Sequence, residues 1–201
     1  DRVALYGYAH LPTRFKPQRR IVSAELPSGG DRLLMLRAAL AGFTAAGYEH
    51  IGMDHFARPD DSLAQARREG RLQRNFQGYS TFAGSDLIAL GVSAISQVGD
   101  VYSQNLKTLP EYEAALAAGL PTVARGHQLS AEDRLRRDVV MTLMCRGELD
   151  TAAIGKAHGI DFASHFAAPL AALRQFESDG MVEQQGARWH VTALGWYFVR
   201  A

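Results

Sequence analysis

The first apolar segment, Val3 to Tyr8, is apolar at nearly every position, the pattern of a short strand covered on both faces. After an arginine-rich loop and the turn Pro27-Ser28-Gly29-Gly30, Leu33, Leu36, Leu40 and Phe43 fall at helical spacing. The spacing predicts a helix over Arg32 to Ala46, capped by Asp31 and ended by Gly47. Tyr48 to Asp54 reads as a second strand, so the opening is a β-loop-α-β unit with parallel strands and a right-handed crossover. On its other side the first strand is expected to lack a partner and to leave an open edge.

Farther on, Pro59 to Ser62 caps a helix that runs to Glu69, and Leu72 to Ala83 reads as polar, ordered loop. Asp86 to Val98 is apolar but broken by Gly91, Ser93 and Ser96, as in a strand passing a ligand. Pro110 opens a short helix over Leu109 to Ala118. From Ser130 onward the pattern becomes mainly helical: Ser130 to Cys145, Thr151 to His158 and Phe162 to Ser178, with Gly159 as a break. Met181 to Val191 then fits a two-stranded wing around Gln185-Gly186, and Thr192 caps a last helix. Helix, helix, helix, wing is winged-helix order.

With 47% hydrophobic and 21% charged residues, the 201-residue chain is that of a globular protein with a sizeable core. A formal net charge of +1 provides no global field for nucleic acid or an anionic membrane. Lys16, Lys107 and Lys156 are the only lysines, so positive charge is mostly arginine. Cys145 stands alone, which excludes an internal disulfide and a thiolate-held cluster within this chain. No apolar run approaches the ~20 residues of a membrane span. The opening Asp1-Arg2-Val3 has no signal-peptide pattern and runs straight into the strand, as a segment cut from a longer protein would.

Four stretches carry specific information: Tyr8-Ala9-His10-Leu11-Pro12, Gly52-Met53-Asp54-His55-Phe56-Ala57-Arg58-Pro59-Asp60-Asp61, Arg74-Asn75-Phe76-Gln77-Gly78-Tyr79 and Gly91-Val92-Ser93-Ala94-Ile95-Ser96. In order and separation they resemble the second half of oxygen-independent coproporphyrinogen III oxidases, and the resemblance runs on through Arg136-Arg137-Asp138-Val139 to the end. It implies an α/β fold: the C-terminal portion of a radical S-adenosylmethionine βα partial barrel over 1–126, and a small helical winged-helix-like domain over 127–201. In that family an N-terminal Cys-x-x-x-Cys-x-x-Cys loop holds a 4Fe–4S cluster, which is absent here, and S-adenosylmethionine yields a 5′-deoxyadenosyl radical. The radical takes a hydrogen from a propionate, which loses carbon dioxide to leave a vinyl group. Two such events turn coproporphyrinogen III into protoporphyrinogen IX in haem synthesis.

By the same resemblance, Ala9 and Ile95 match positions that contact S-adenosylmethionine, and Phe76 with Gln77 match residues lining a second cofactor site. Ala9, Gln77 and Ile95 are expected to meet at one pocket. Without the resemblance, Ala9 and Ile95 read as packing residues. His10, Asp54 and His55 lie at or just past strand ends, where they would position propionates or take up a proton, or stand as structural residues. Arg14, Arg19, Arg20 and Arg58 are candidate carboxylate clamps, or solvated loop charge. No two of the seven histidines have the i, i+4 spacing of a helix-borne metal site.

The resemblance further implies a cytoplasmic, monomeric parent enzyme with an electron-donor protein, no nucleic acid and no membrane, and a segment that is inert alone. The haem-chaperone paralogue is the nearest alternative, but it carries His-Asn-x-x-Tyr-Trp where this chain has Arg74-Asn75-Phe76-Gln77-Gly78-Tyr79. A nucleic-acid-binding winged helix is the other. Its recognition helix would be Phe162 to Ser178, which offers only His165, Arg174 and Gln175 for contacts.

Overall fold

The computed structural model describes residues 1–76, 78–82 and 84–199. Strand β1 (Arg2–Ala4) leads into a long loop, which carries two 3₁₀ turns, and then into α1 (Gly29–Ala45). Ser28, rather than Asp31, is the N-cap of α1: its hydroxyl accepts from the Asp31 amide while the Asp31 carboxylate accepts from the Ser28 amide. Leu33, Leu36, Leu40 and Phe43 are the half-buried face of this helix, and Phe43 meets the Phe56 ring at 4.7 Å.

Next come β2 (Glu49–Gly52) and β3 (His55–Ala57), and the three strands form one sheet in the order β1-β3-β2. Here the expected unit is corrected. β1 and β2 do run in the same direction, but β3 lies between them and is antiparallel to both. The chain folds back immediately after β2 through Met53, whose φ of 51° is left-handed, so a hairpin replaces the crossover pairing. β1 is also shorter and more exposed than its apolar sequence suggests: only Val3 and Leu5 are half-buried, and Tyr6 and Tyr8 stand in solvent. Among the described residues β1 pairs on one side only.

Helix α2 (Ser62–Arg68) is capped by the Asp61 carboxylate, which accepts from the Leu63 amide at 2.7 Å. The stretch expected as loop is a β-ribbon, β4 (Gln73–Asn75) and β5 (Gly78–Ser80). Only Ile95–Val98 of the next apolar segment is a strand, β6, which joins β7 (Val101–Asn105) and β8 (Val123–Gln128) in an antiparallel sheet. Upstream of β6 the backbone is irregular, with Gly91 and Ser93 at positive φ, so a long strand cannot run through it. Helix α3 (Leu109–Ala117) links β7 to β8.

Helix α4 (Ala131–Arg146) opens on a second capping box, Ser130 with Asp133, and ends on left-handed Gly147. Then follow β9 (Glu148–Asp150), α5 (Thr151–His158), α6 (Phe162–His165), α7 (Ala167–Ser178), β10 (Val182–Gln185) and β11 (Arg188–Val191). The expected helix over 162–178 is interrupted at Phe166, and the wing gains a third strand, β9, paired with β11. The last helix is only a 3₁₀ turn at Gly195–Tyr197. There the Thr192 hydroxyl accepts from the Gly195 amide and donates to the Gly180 carbonyl.

Two cores result, and α4 serves both. One gathers Ile51, Ala57, Leu63, Ala64, Ala66, Leu72 and Tyr79 around Cys145, with Met141 against it. The other gathers Leu149, Phe162, Phe166 and Trp189 around Leu135, with Val139 and Leu143 against it. The division expected at residues 126 and 127 falls inside β8, a few residues before α4, and the first core reaches across it.

Candidate active site

The hairpin between β2 and β3 presents Asp54 and His55. Gly52 sits at φ 151°, and a Cβ there would fall on the Tyr79 hydroxyl, so only glycine lets β2 end against that phenol. Left-handed Met53 follows, an uncommon state for a non-glycine residue and the kind of strain that marks functional turns. The Leu5 amide donates to the Asp54 carbonyl at 2.8 Å and fixes the turn to the end of β1.

Asp54 Oδ1 lies 2.6 Å from His55 Nδ1, and each side chain retains about a fifth of its exposure. The carboxylate holds the proton on Nδ1, leaving Nε2 as the acceptor in the neutral ring. The imidazole is braced edge-on by Tyr79, centroids 5.3 Å apart, and by Tyr6 at 6.4 Å. Tyr79 in turn donates to the Met144 carbonyl at 3.0 Å, and burial raises its phenol pKa well above the ordinary value. Gly78 leaves room beside Nε2, since a Cβ there would stand 3.4 Å from that atom.

Asp54 opens onto a mainly apolar cleft of about 620 Å³, lined by Leu5, Tyr6, Tyr8, Arg32, Met35, Leu36, Met53, Trp196, Tyr197 and Val199. That volume suits a small-molecule ligand. The C-terminal wall comes from the 3₁₀ turn that stands in place of the expected last helix: Trp196 stands edge-on to His50 at 6.2 Å and under the Arg67 guanidinium at 5.9 Å. His50 Nε2 donates to the Met53 carbonyl at 2.9 Å. Burial lowers its pKa below the ordinary 6.5.

The other expected residues are spread over several elements. Ala9 lies in the loop after β1 with its carbonyl accepting from Gln18 Nε2 at 3.1 Å, while Gln18 Oε1 accepts from the Leu11 amide. Gln18, which brackets this loop, carries no motif and was invisible in the sequence. Phe76 stands exposed at the β4–β5 turn, Ile95 is half-buried on β6, and Gln77 lies outside the described residues. Both ring nitrogens of His10 have partners, the Tyr8 hydroxyl and the Ser23 hydroxyl at 3.2 Å each. Arg19 donates to the Pro12 carbonyl, Arg14 stacks on Phe15, and Arg58 faces Asp60 at 3.7 Å.

On the helices proposed for nucleic-acid reading, the polar groups turn to internal partners: His165 to Glu132, Arg174 to Glu177 and the Trp189 ring, Gln175 to Ser178 and Asp179. Among the described residues no three His, Cys, Asp or Glu side chains gather at one point, and Cys145 is buried. No helix among them is long and apolar enough to cross a membrane.

Comparison with known proteins places this architecture. The family described as HemN C-terminal domain matches residues 129–198, the helical end of the chain. Over its full length the chain is 47% identical to the oxygen-independent coproporphyrinogen III oxidase of Pseudomonas aeruginosa and 46% identical to that of Escherichia coli. It spans 44% of each relative's length. The Thermostichus vulcanus protein of the same name is 41% identical, with 62% of its length covered. A solved structure titled as coproporphyrinogen III oxidase (HemN) from Escherichia coli, a radical SAM enzyme, superposes with a TM-score of 0.93 at 45% identity. All of this chain and 46% of that one are covered. Along its whole length the chain is thus similar to one segment of oxygen-independent coproporphyrinogen III oxidases.

Proposed function

We propose that this chain forms the substrate-facing part of an oxygen-independent coproporphyrinogen III oxidase. The observation that carries the reading is the whole-length superposition on such an enzyme, with Asp54 and His55 at the edge of a cleft large enough for a small-molecule ligand. In the reaction each propionate gives up one hydrogen atom and one electron and releases carbon dioxide, leaving a vinyl group. S-adenosylmethionine with a 4Fe–4S cluster, when bound, would supply the hydrogen-atom removal.

The residues described here do not fit the cluster: thiolates are its usual ligands, and Cys145 is the sole cysteine of the chain. They do offer surfaces for the nucleoside cofactor in the exposed Phe76 ring, the Ile95 side chain and the small Ala9; Gln77 is carried into the proposal by the family resemblance alone. Asp54 keeps His55 in one tautomer, and Nε2 then accepts a proton or a hydrogen bond from a protonated propionate. The apolar cleft walls exclude water from a tetrapyrrole's hydrocarbon face. The electron-donor protein, the cytoplasmic setting, the monomeric state and the division at 126/127 remain part of this proposal, supported by the family resemblance.

A chimaera in which this chain replaces the matching segment of the Escherichia coli relative tests the reading. Anaerobic turnover should yield protoporphyrinogen, and H55A should lower it at least tenfold. A folded chimaera with its cluster intact that forms no product would refute it.

A further inference from the structure

A second cleft, of about 400 Å³, lies between β4, the β6–β7 hairpin and α4, and three arginines line it: Arg74, Arg137 and Arg146. We propose that it is a carboxylate-binding subsite, which holds propionate groups that the reaction leaves intact. The inference rests on the reading of the substrate as a tetrapyrrole with several propionates.

The charge balance inside this cleft is lopsided. Asp138 is the one carboxylate along its wall, and His158 Nε2 lies 2.9 Å from its Oδ2. Arg137 stands 3.9 Å from Asp100 Oδ1, beyond hydrogen-bond distance, while Arg134 holds Asp100 Oδ2 at 3.1 Å. Arg146 makes no ion pair among the described residues. The Arg74 guanidinium lies 5.7 Å over the Tyr79 ring, and its Nε is buried with no hydrogen-bond partner. Buried donors in native proteins are nearly always paired, so the Arg74 guanidinium is a cation whose hydrogen-bonding capacity the described residues leave partly unused at the wall of the cleft.

Spacing argues for the kind of anion. Arg137 and Arg146 are nine residues apart on α4, which sets their backbones about 13 Å apart along the helix axis. One compact ion such as phosphate cannot lie alongside both backbones, whereas carboxylates distributed around a macrocycle can reach each guanidinium separately. Gln97 and Tyr102 line the opposite wall and add uncharged groups for hydrogen bonding. Guanidinium recognises carboxylate through paired, charge-assisted bonds.

The test is a binding titration of this chain with coproporphyrin III, the stable oxidised form of the substrate ring, followed by its absorbance. R74Q, R137Q and R146Q should each weaken binding roughly ten- to a hundredfold. R74K should recover part of the loss, and the tetramethyl ester should bind no better to wild type than to the variants. Because Arg74 braces Tyr79, R74Q is judged only if its circular dichroism matches wild type; R137Q and R146Q, on the helix surface, carry the result otherwise. Equal affinity of all three variants for coproporphyrin III overturns the subsite and leaves the proposed function standing. Arginine-dependent binding of glutarate without any binding of coproporphyrin III upholds a carboxylate site and overturns the tetrapyrrole reading. Binding of neither probe to wild type overturns the subsite.

Discussion

Gly147 and Gly180 both adopt left-handed backbone conformations, at φ 67° and 72°, yet their surroundings differ. A Cβ at Gly180 would meet nothing within 4 Å, whereas one at Gly147 would stand 2.5 Å from Cζ2 of Trp196. G180A should therefore cost only the backbone penalty, about 1–2 kcal/mol, and G147A should add overpacking to reach about 2–4 kcal/mol. Urea unfolding of the two variants side by side measures the difference. His50 supplies a second prediction. Burial lowers its pKa in the folded chain, so on acidification the unfolded chain takes up the proton first. Stability is thus fully present above about pH 6.5 and declines as pH falls from there toward 5. H50Q should flatten that decline in denaturant titrations across pH 5–7.5. Neither residue announces itself in the sequence. His50 gains its role from Trp196, nearly 150 positions away, and no local pattern encodes that encounter.

Where a capping side chain met a helical repeat, elements were legible: α2 at Asp61, α4 at Ser130 and α5 before left-handed Gly159. The wing of β10 and β11 was legible too, around Gln185-Gly186, but the other ribbons were not. β4 and β5 span three residues each, too few for a period-two pattern to register, and β7 and β8 are held together by pairing rather than by apolar alternation. The parallel β1–β2 reading failed at one residue, Met53, whose left-handed turn brings β3 back between them. The site was partly legible for the same reason: Asp54 and His55 lie at the end of a recognisable strand, while Trp196 and Gln18 belong to turns. Asp61 tests how elements are tied together. Its carboxylate caps α2 and also accepts from Arg2 Nε at 2.8 Å, so it pins β1 to α2. D61N keeps an acceptor for the cap and should cost little, whereas D61A removes cap and tether and should cost about 1–2 kcal/mol. Thermal melts of both variants check the ranking.

Taken whole, the molecule has two cores but one shared helix, and α4 makes them mechanically interdependent. Leu72 is 1% exposed in the first core and Leu135 is 3% exposed in the second. L72A and L135A should each cost about 2–5 kcal/mol, and each should lower a single unfolding transition rather than split it in two. Cys145 reports the coupling chemically. Burial pushes its thiol up to about 11, so it should resist alkylation at pH 8 while the chain is folded. L135A, though it sits in the other core, should speed Cys145 labelling at sub-denaturing urea. Two resolved transitions, or labelling indifferent to L135A, would show that the cores act separately.

The shared helix also has a consequence for the order in which the chain is made. The first core draws its members from Ile51 to Tyr79, yet it is closed by Met141 and Cys145, and Tyr79 donates to the carbonyl of Met144. A ribosome therefore releases every strand and helix of that core more than sixty residues before the piece that seals it. Until α4 emerges, Ile51, Leu63 and Leu72 have no cover on that side, and the nascent chain has a sticky face through much of its synthesis. Biosynthesis of this molecule thus has a vulnerable interval, which ends only when one late helix completes both cores.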